Sequence, residues 1–211
     1  MCFSAAASFT AAAGLAAAGV ACQVGARDPR ERLLAAFPSL FAVQQAVEGV
    51  IWLRLADAPG AGEGALPGLS AIYLAFAYVV WPAITPAAAW LIEPNGLRRK
   101  AMLAAAGLGA GVAFYLLWTL ATGTYLAEAR DGHIAYFADA DPPLAVELAY
   151  AVAVIGPLAI SSHRAVQVFG AVVAAGAAVS YFGLPWGRAS VWCFFAAAAS
   201  AVLVFHFFRR R

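Results

Sequence analysis

The sequence predicts an all-α fold: one integral membrane domain, residues 1–211, folded as a seven-helix transmembrane bundle with its N-terminus outside and its C-terminus cytoplasmic. Three observations predict it. Charged residues make up only 11% of the chain and hydrophobic ones 64%, where a soluble domain carries roughly 25% charged residues. Apolar runs of about 18 residues or more, long enough to cross hydrocarbon, recur along the whole length. Between them, Lys and Arg gather on alternate connections, as cytoplasmic loops require. The formal net charge of +2 sums up that asymmetry and gives no indication of a nucleic-acid partner.

The first span, about 5–24, is rich in Ala and Gly and lacks the basic leader of a signal peptide, so it reads as structural. Arg27, Arg30 and Arg32 follow it. The second span, about 33–55, contains the polar stretch "QQAVEG". The third, about 69–92, holds Pro82 and Pro86, which predict a kink and freed backbone carbonyls. Arg98, Arg99 and Lys100 come next. In the fourth, about 101–122, Gly107 and Gly111 form a small-xxx-small pair that allows close helix approach.

Residues 125–143, "YLAEARDGHIAYFADADPP", read as the one long loop. Loops of that length are usually functional or disordered, and Ile134, Tyr136 and Phe137 suit a lid across the bundle. The fifth span, about 143–162, carries Pro157 and is followed by Arg164. The sixth, about 165–182, is again Ala- and Gly-rich. The seventh, about 189–208, runs into Arg209, Arg210 and Arg211. Seven crossings put all these basic groups on the cytoplasmic side. The outer side then holds Arg54, Arg130 and Arg188 against Asp57, Glu63, Glu128, Asp131, Asp139 and Asp141.

Polar side chains concentrate in the outer halves of the spans, which predicts an outward-facing pocket above a dry floor. Gln44, Glu48 and Trp52 recur every fourth residue and form one stripe, with Gln45 beside it. A mid-membrane carboxylate costs roughly 2.5–3.5 kcal/mol on insertion scales, so Glu48 must face the bundle and find a partner or a proton. Two readings stay open: a structural acid tying helices together, or the centre of a ligand or metal pocket. Glu147 reads either as a pocket residue or as a charge at the N-terminus of its helix. Tyr73, Tyr115, Trp118, Tyr150 and Tyr181 lie at similar depth on four spans and suit an organic cation or cofactor rings.

Cys2 and Cys193 share the outer side, where a disulfide would persist. Alternatively both join His133 and Glu48 around zinc or copper, although no local ligand spacing supports that set. Haem between His163 and His206 is disfavoured, because "SSHR" reads better as the cap of the sixth helix and His206 as an interfacial side chain. Retinal is excluded, since the sole lysine, Lys100, lies in a loop.

"MCFSA" at the start, "QQAVEG" with Trp52, "GHIAY", "SSHR" and "SVWCFFAA" together resemble, end to end, an uncharacterised family of bacterial multi-pass membrane proteins. The resemblance implies a bacterial cytoplasmic (inner) membrane location. It also implies that Cys2, Glu48, His133, His163 and Cys193 lie in the family's recognisable motifs. It carries no activity with it.

The functional expectation is an outward-facing polar pocket around Glu48 that binds a metal ion or small ligand. Cys2, Glu48, His133 and Cys193 are the metal candidates. Gln45, Trp52, Tyr73, Tyr150 and Glu147 are the ligand-binding candidates. With an open metal position, Glu48 is the catalytic candidate, as general base of a metal-dependent membrane enzyme. One alternative is a small-molecule or ion transporter, which needs a polar route through both halves. The other is an accessory or pigment-binding subunit docking a membrane-protein partner through its Ala/Gly-rich helix faces. Besides the lipid bilayer, a metal ion or small ligand is the expected partner.

Overall fold

The computed structural model describes residues 4–57, 66–130, 132–138, 141–183 and 188–209. Seven long helices form the bundle: α1 (Ala5–Gly25), α2 (Phe37–Asp57), α3 (Pro67–Ile92), α4 (Leu97–Thr122), α5 (Leu144–Ile160), α6 (Arg164–Gly183) and α7 (Arg188–Phe208). All but α5 are long and apolar enough to span a membrane, and α5 is a shorter apolar helix. Ser4 caps α1 by accepting from the Ala7 amide, and Asp28 caps the short turn ahead of α2. The two ends of the bundle are called here the Arg188 end and the Glu93 end.

Small residues decide how closely the helices meet. A Cβ at Gly19 of α1 would collide with Ser39, and one at Gly49 of α2 would meet the Phe9 ring 2.9 Å away. These two contacts set the antiparallel register of α1 on α2. α3 departs from regular geometry at Phe76–Val80, a π-helical stretch just before Pro82. Pro86 has no amide hydrogen, so the Pro82 carbonyl loses its partner four residues on. Gly109 of α4 packs against that carbonyl, where any side chain would collide with it. Gly107 and Gly111, expected to be the contact pair, have nothing within 4 Å of the place a Cβ would take; the face that meets α3 is the one carrying Gly109. Spacing tells which residues share a face, whereas the kinked neighbour selects which face is used.

The expected long loop is largely a β-hairpin. β1 (Tyr125–Arg130) pairs antiparallel with β2 (His133–Ala138), from Tyr125 opposite Ala138 to Arg130 opposite His133. Gly132 in the turn has φ of 77°, a conformation that glycine adopts without strain. Leu126 and Glu128 alternate with the buried Tyr125 and Ala127. The hairpin closes the Arg188 end over Ile51, Tyr73 and Leu74, with Ile134 fully buried among them. Tyr136 stacks on Tyr73, their ring centres 4.7 Å apart and 7° from parallel. Ile134 and Tyr136 therefore belong to a cover packed on the bundle, while Phe137 is exposed. A second core, around Phe37, Phe41, Trp81, Phe169, Leu203 and Phe207, fills the Glu93 end.

Candidate functional site

The polar stripe of α2 faces inward. Gln44, Gln45 and Glu48 are each no more than 1% exposed. Glu48 accepts from Ser190 Oγ of α7 at 2.6 Å and from Gln45 Nε2 at 3.0 Å. One turn earlier, Gln44 joins two helices to α2. Its Oε1 accepts from Trp81 Nε1 of α3 at 3.0 Å, and its Nε2 donates to Cys193 Sγ of α7 at 3.0 Å. Tyr73 also reaches the Cys193 side chain. Gln44, Glu48, Ser190 and Cys193 thus knit α2, α3 and α7 through buried polar bonds, which hydrocarbon surroundings demand of any polar group. Two buried atoms in this region, Gln45 Oε1 and Trp52 Nε1, have no hydrogen-bond partner among the described residues.

Beside this network, α3, α5, α6 and α7 enclose a cavity of about 810 Å³ that also reaches α2 and the hairpin. It is graded along its length. At the Arg188 end, Glu147, Asp141, Arg188, Tyr78 and Tyr181 surround the mouth. Arg188 donates to Glu147 at 3.0 Å, lies 3.8 Å from Asp141, and sits over the Tyr181 ring at 5.8 Å. Midway, Tyr150 lines the wall and donates its hydroxyl to the Ala77 carbonyl at 2.6 Å. Below it the lining is Trp81, Val154, Leu158, Phe169, Val173 and Phe37, a largely apolar floor with Thr85 as its one hydroxyl. The rise along α5 from Glu147 to Leu158 is about 16 Å.

The predicted site residues divide between these two regions. Glu48 and Gln45 lie in the buried network, with Trp52 further along the same helix among Ile51 and Tyr73. Tyr73 is fully buried between Tyr136 and Cys193. Tyr150 and Glu147 line the cavity. Glu147 is in the first turn of α5, so it combines the expected position at a helix N-terminus with an ion pair to Arg188. Cys193 belongs to both regions, lining the cavity while accepting from Gln44. His133 is buried on β2, opposite Arg130 in the hairpin. Cys2, with the disulfide and metal roles expected of it, lies outside the described residues. Among the described residues, no group of three or more His, Cys, Asp or Glu side chains is placed to hold a metal ion.

Two polar groups escaped the sequence reading. Trp81 carried no expectation from the sequence, yet it donates to Gln44. Glu93 falls just past the third span, about 69–92, and carried no expectation, yet it is 2% exposed. Its carboxylate accepts from Ser161 Oγ at 3.1 Å and from the Ser162 amide at 3.0 Å. Ser161 accepts in turn from the His163 amide, and the His163 ring meets the Ile92 carbonyl at 3.0 Å. "SSHR" is therefore a clasp between the end of α3 and the start of α6, and His163 is committed to it. The adjoining Pro94 and Asn95 mark a turn, the one local signal that Glu93 sits at a junction.

No curated protein and no solved structure matches this chain. A family model covers all of it, residues 1–211, and by that match the chain belongs to the family of unknown function DUF6629.

Proposed function

We propose that this membrane protein binds a small organic ligand in the cavity between α3, α5, α6 and α7, with the ligand's polar end at Arg188 and Glu147 and its apolar body toward Phe169. The observation that carries this reading is the grading of one volume of about 810 Å³ from a charged, tyrosine-lined mouth to a floor whose lining is apolar but for Thr85. Cavities of this size and lining are the usual form of small-molecule sites. By the distribution of Lys and Arg the mouth faces outward, in keeping with a bacterial cytoplasmic membrane. Glu48 and Gln45 then act as positioning residues: through Ser190, and alongside the Gln44 bond to Cys193, they hold α7 as one wall of the site. Binding is favoured over transport because the floor offers water no polar route. The metal reading lacks comparable support among the described residues.

The test is native mass spectrometry of the purified protein released from lipid nanodiscs, comparing wild type with Ala151→Trp and Ala177→Trp, which fill the cavity. A small-molecule adduct retained by wild type and lost from either variant of unchanged melting temperature supports the reading. Equal adduct populations in wild type and both variants, or none in any, would overturn it.

A further inference from the structure

We infer that the ligand of this cavity is a monovalent organic cation, an ammonium head on an apolar body. This rests on the cavity being a ligand site and names the ligand class. The first argument is charge. Among the described residues, the charged side chains lining the cavity are Asp141, Glu147 and Arg188, two carboxylates to one guanidinium. Glu147 holds Arg188 at 3.0 Å, while Asp141 stands 3.8 Å off and is 82% exposed, so Asp141 is the looser partner. A cation can settle against Asp141 and leave Glu147 with Arg188. An anion would have to part that pair and would still face the second carboxylate. The connections on this side of the bundle add to the field, since in the sequence they carry six carboxylates against three arginines, an excess that draws cations to the mouth.

The second argument is the use of donors. Tyr150 gives its hydroxyl proton to the Ala77 carbonyl at 2.6 Å, and Trp81 Nε1 donates to Gln44 at 3.0 Å. Trp192 Nε1 donates to the Val173 carbonyl at 3.1 Å, and Ser180 Oγ to the Ala177 carbonyl at 2.9 Å. All four residues line the cavity. Their protons are spent on the protein's own acceptors, so an anionic ligand would find few N–H or O–H groups to meet it. Hydroxyls such as those of Tyr78 and Thr85 accept as readily as they donate and favour neither sign.

The third argument is the aromatic lining. Each of the four helices contributes one ring near the mouth: Tyr78 from α3, Tyr150 from α5, Tyr181 from α6 and Trp192 from α7. Tyr78 lies in the π-helical stretch of α3, close enough to Arg188, Asp141 and Glu147 to feel their charges. Tyr150 is one turn deeper than Glu147, and Trp192 one turn deeper than Arg188. Their ring centres are 5.3 Å apart with planes at 63°, two walls of a corner. Ring faces attract cations, tryptophan most strongly. The guanidinium of Arg188 already uses the Tyr181 face in this way, at 5.8 Å. An ammonium head beside Asp141 and Glu147 would have the Tyr150–Trp192 corner beneath it, and its apolar body would continue toward Phe169.

The experiment is photolabelling of the full chain in phosphatidylcholine nanodiscs. Three probes share one diazirine-bearing benzyl body and differ in the head: trimethylammonium, its neutral isostere tert-butyl, and sulfonate. The readout is the ratio of ammonium to tert-butyl labelling at Val154, Phe169 or Val173. Partition into the same bilayer cancels when proteins are compared. The ratio should fall about tenfold from wild type to Asp141→Asn/Glu147→Gln, and rise about threefold in Arg188→Gln. Sulfonate should label these positions least in wild type. Loosened packing would move all heads alike, so shifts of opposite sign report charge. A ratio unchanged in the double variant, or sulfonate labelling as strong as ammonium in wild type, would overturn the cation inference and leave the cavity reading standing. Labelling by every probe that survives Ala151→Trp and Ala177→Trp unchanged, or none at these positions from any probe, would remove both.

Discussion

Ser190 Oγ donates to Glu48 Oε1 across 2.6 Å, joining two helices whose residues stand 142 positions apart. Both side chains are fully buried, so neither can exchange this bond for one to water. In a membrane the unfolded reference also finds partners for such groups, which limits what one bond contributes. Ser190→Ala should therefore lower stability by about 0.6–1.7 kcal/mol. Glu48→Ala should cost more, about 1–3 kcal/mol, because it strands the Gln45 and Ser190 donors together. Reversible unfolding in mixed micelles reads both. Additive effects in the double variant would mean that the two groups do not interact.

Gly109 and its neighbours make a sharper test of packing. Gly109→Ala places a methyl group against the Pro82 carbonyl and should destabilise by about 1–3 kcal/mol. Gly107→Ala and Gly111→Ala meet nothing within 4 Å and should be neutral or stabilise by up to about 1 kcal/mol. Melting temperatures of the three variants decide it. Destabilisation by the outer pair instead would show that the face carrying Gly107 and Gly111 is buried against a partner.

At the other end of the bundle, Glu93→Ala removes the acceptor for Ser161 and Ser162 and should cost about 1.5–3 kcal/mol. Its local signature is faster hydrogen exchange at the Ser162 and His163 amides, with exchange in the hairpin unchanged. Exchange that rises equally everywhere would point to global loosening rather than to a clasp.

Tyr136→Ala deletes the ring stacked on Tyr73 and should lower stability by about 0.5–1.5 kcal/mol beyond the loss of buried area. The effect should be seen first as faster amide exchange in β1 and β2. Tyr136→Phe retains the stack and should behave close to wild type in that measurement.

The candidate site was legible in part. Burial of Gln44, Gln45 and Glu48 followed from their spacing and from the cost of a polar group in hydrocarbon. Their partners did not, since Ser190 and Trp81 are ordinary residues until the fold brings them alongside. The hairpin had a local signal, Asp131-Gly132 between two stretches of strand-like alternation, which is a typical two-residue turn pair. Its length, read as a single long loop, obscured that signal. Arg188 counted only as one outer charge, because its pairing with Glu147 spans two helices.

By itself the sequence determined the class of this protein, an all-α bundle of seven long apolar helices. Hydropathy is a local property, and a backbone in hydrocarbon must satisfy its own hydrogen bonds, so each apolar run had only a helix open to it. The tertiary structure alone decided what those helices enclose. It turned Gly109 rather than Gly107 toward α3, and it put Glu48 in a closed network beside the cavity rather than at its centre. The open volume lies instead between α3, α5, α6 and α7, from Arg188 to Phe169. Periodicity says which residues share a face, but which faces meet, and where they fail to meet, is set by the packing of the whole bundle.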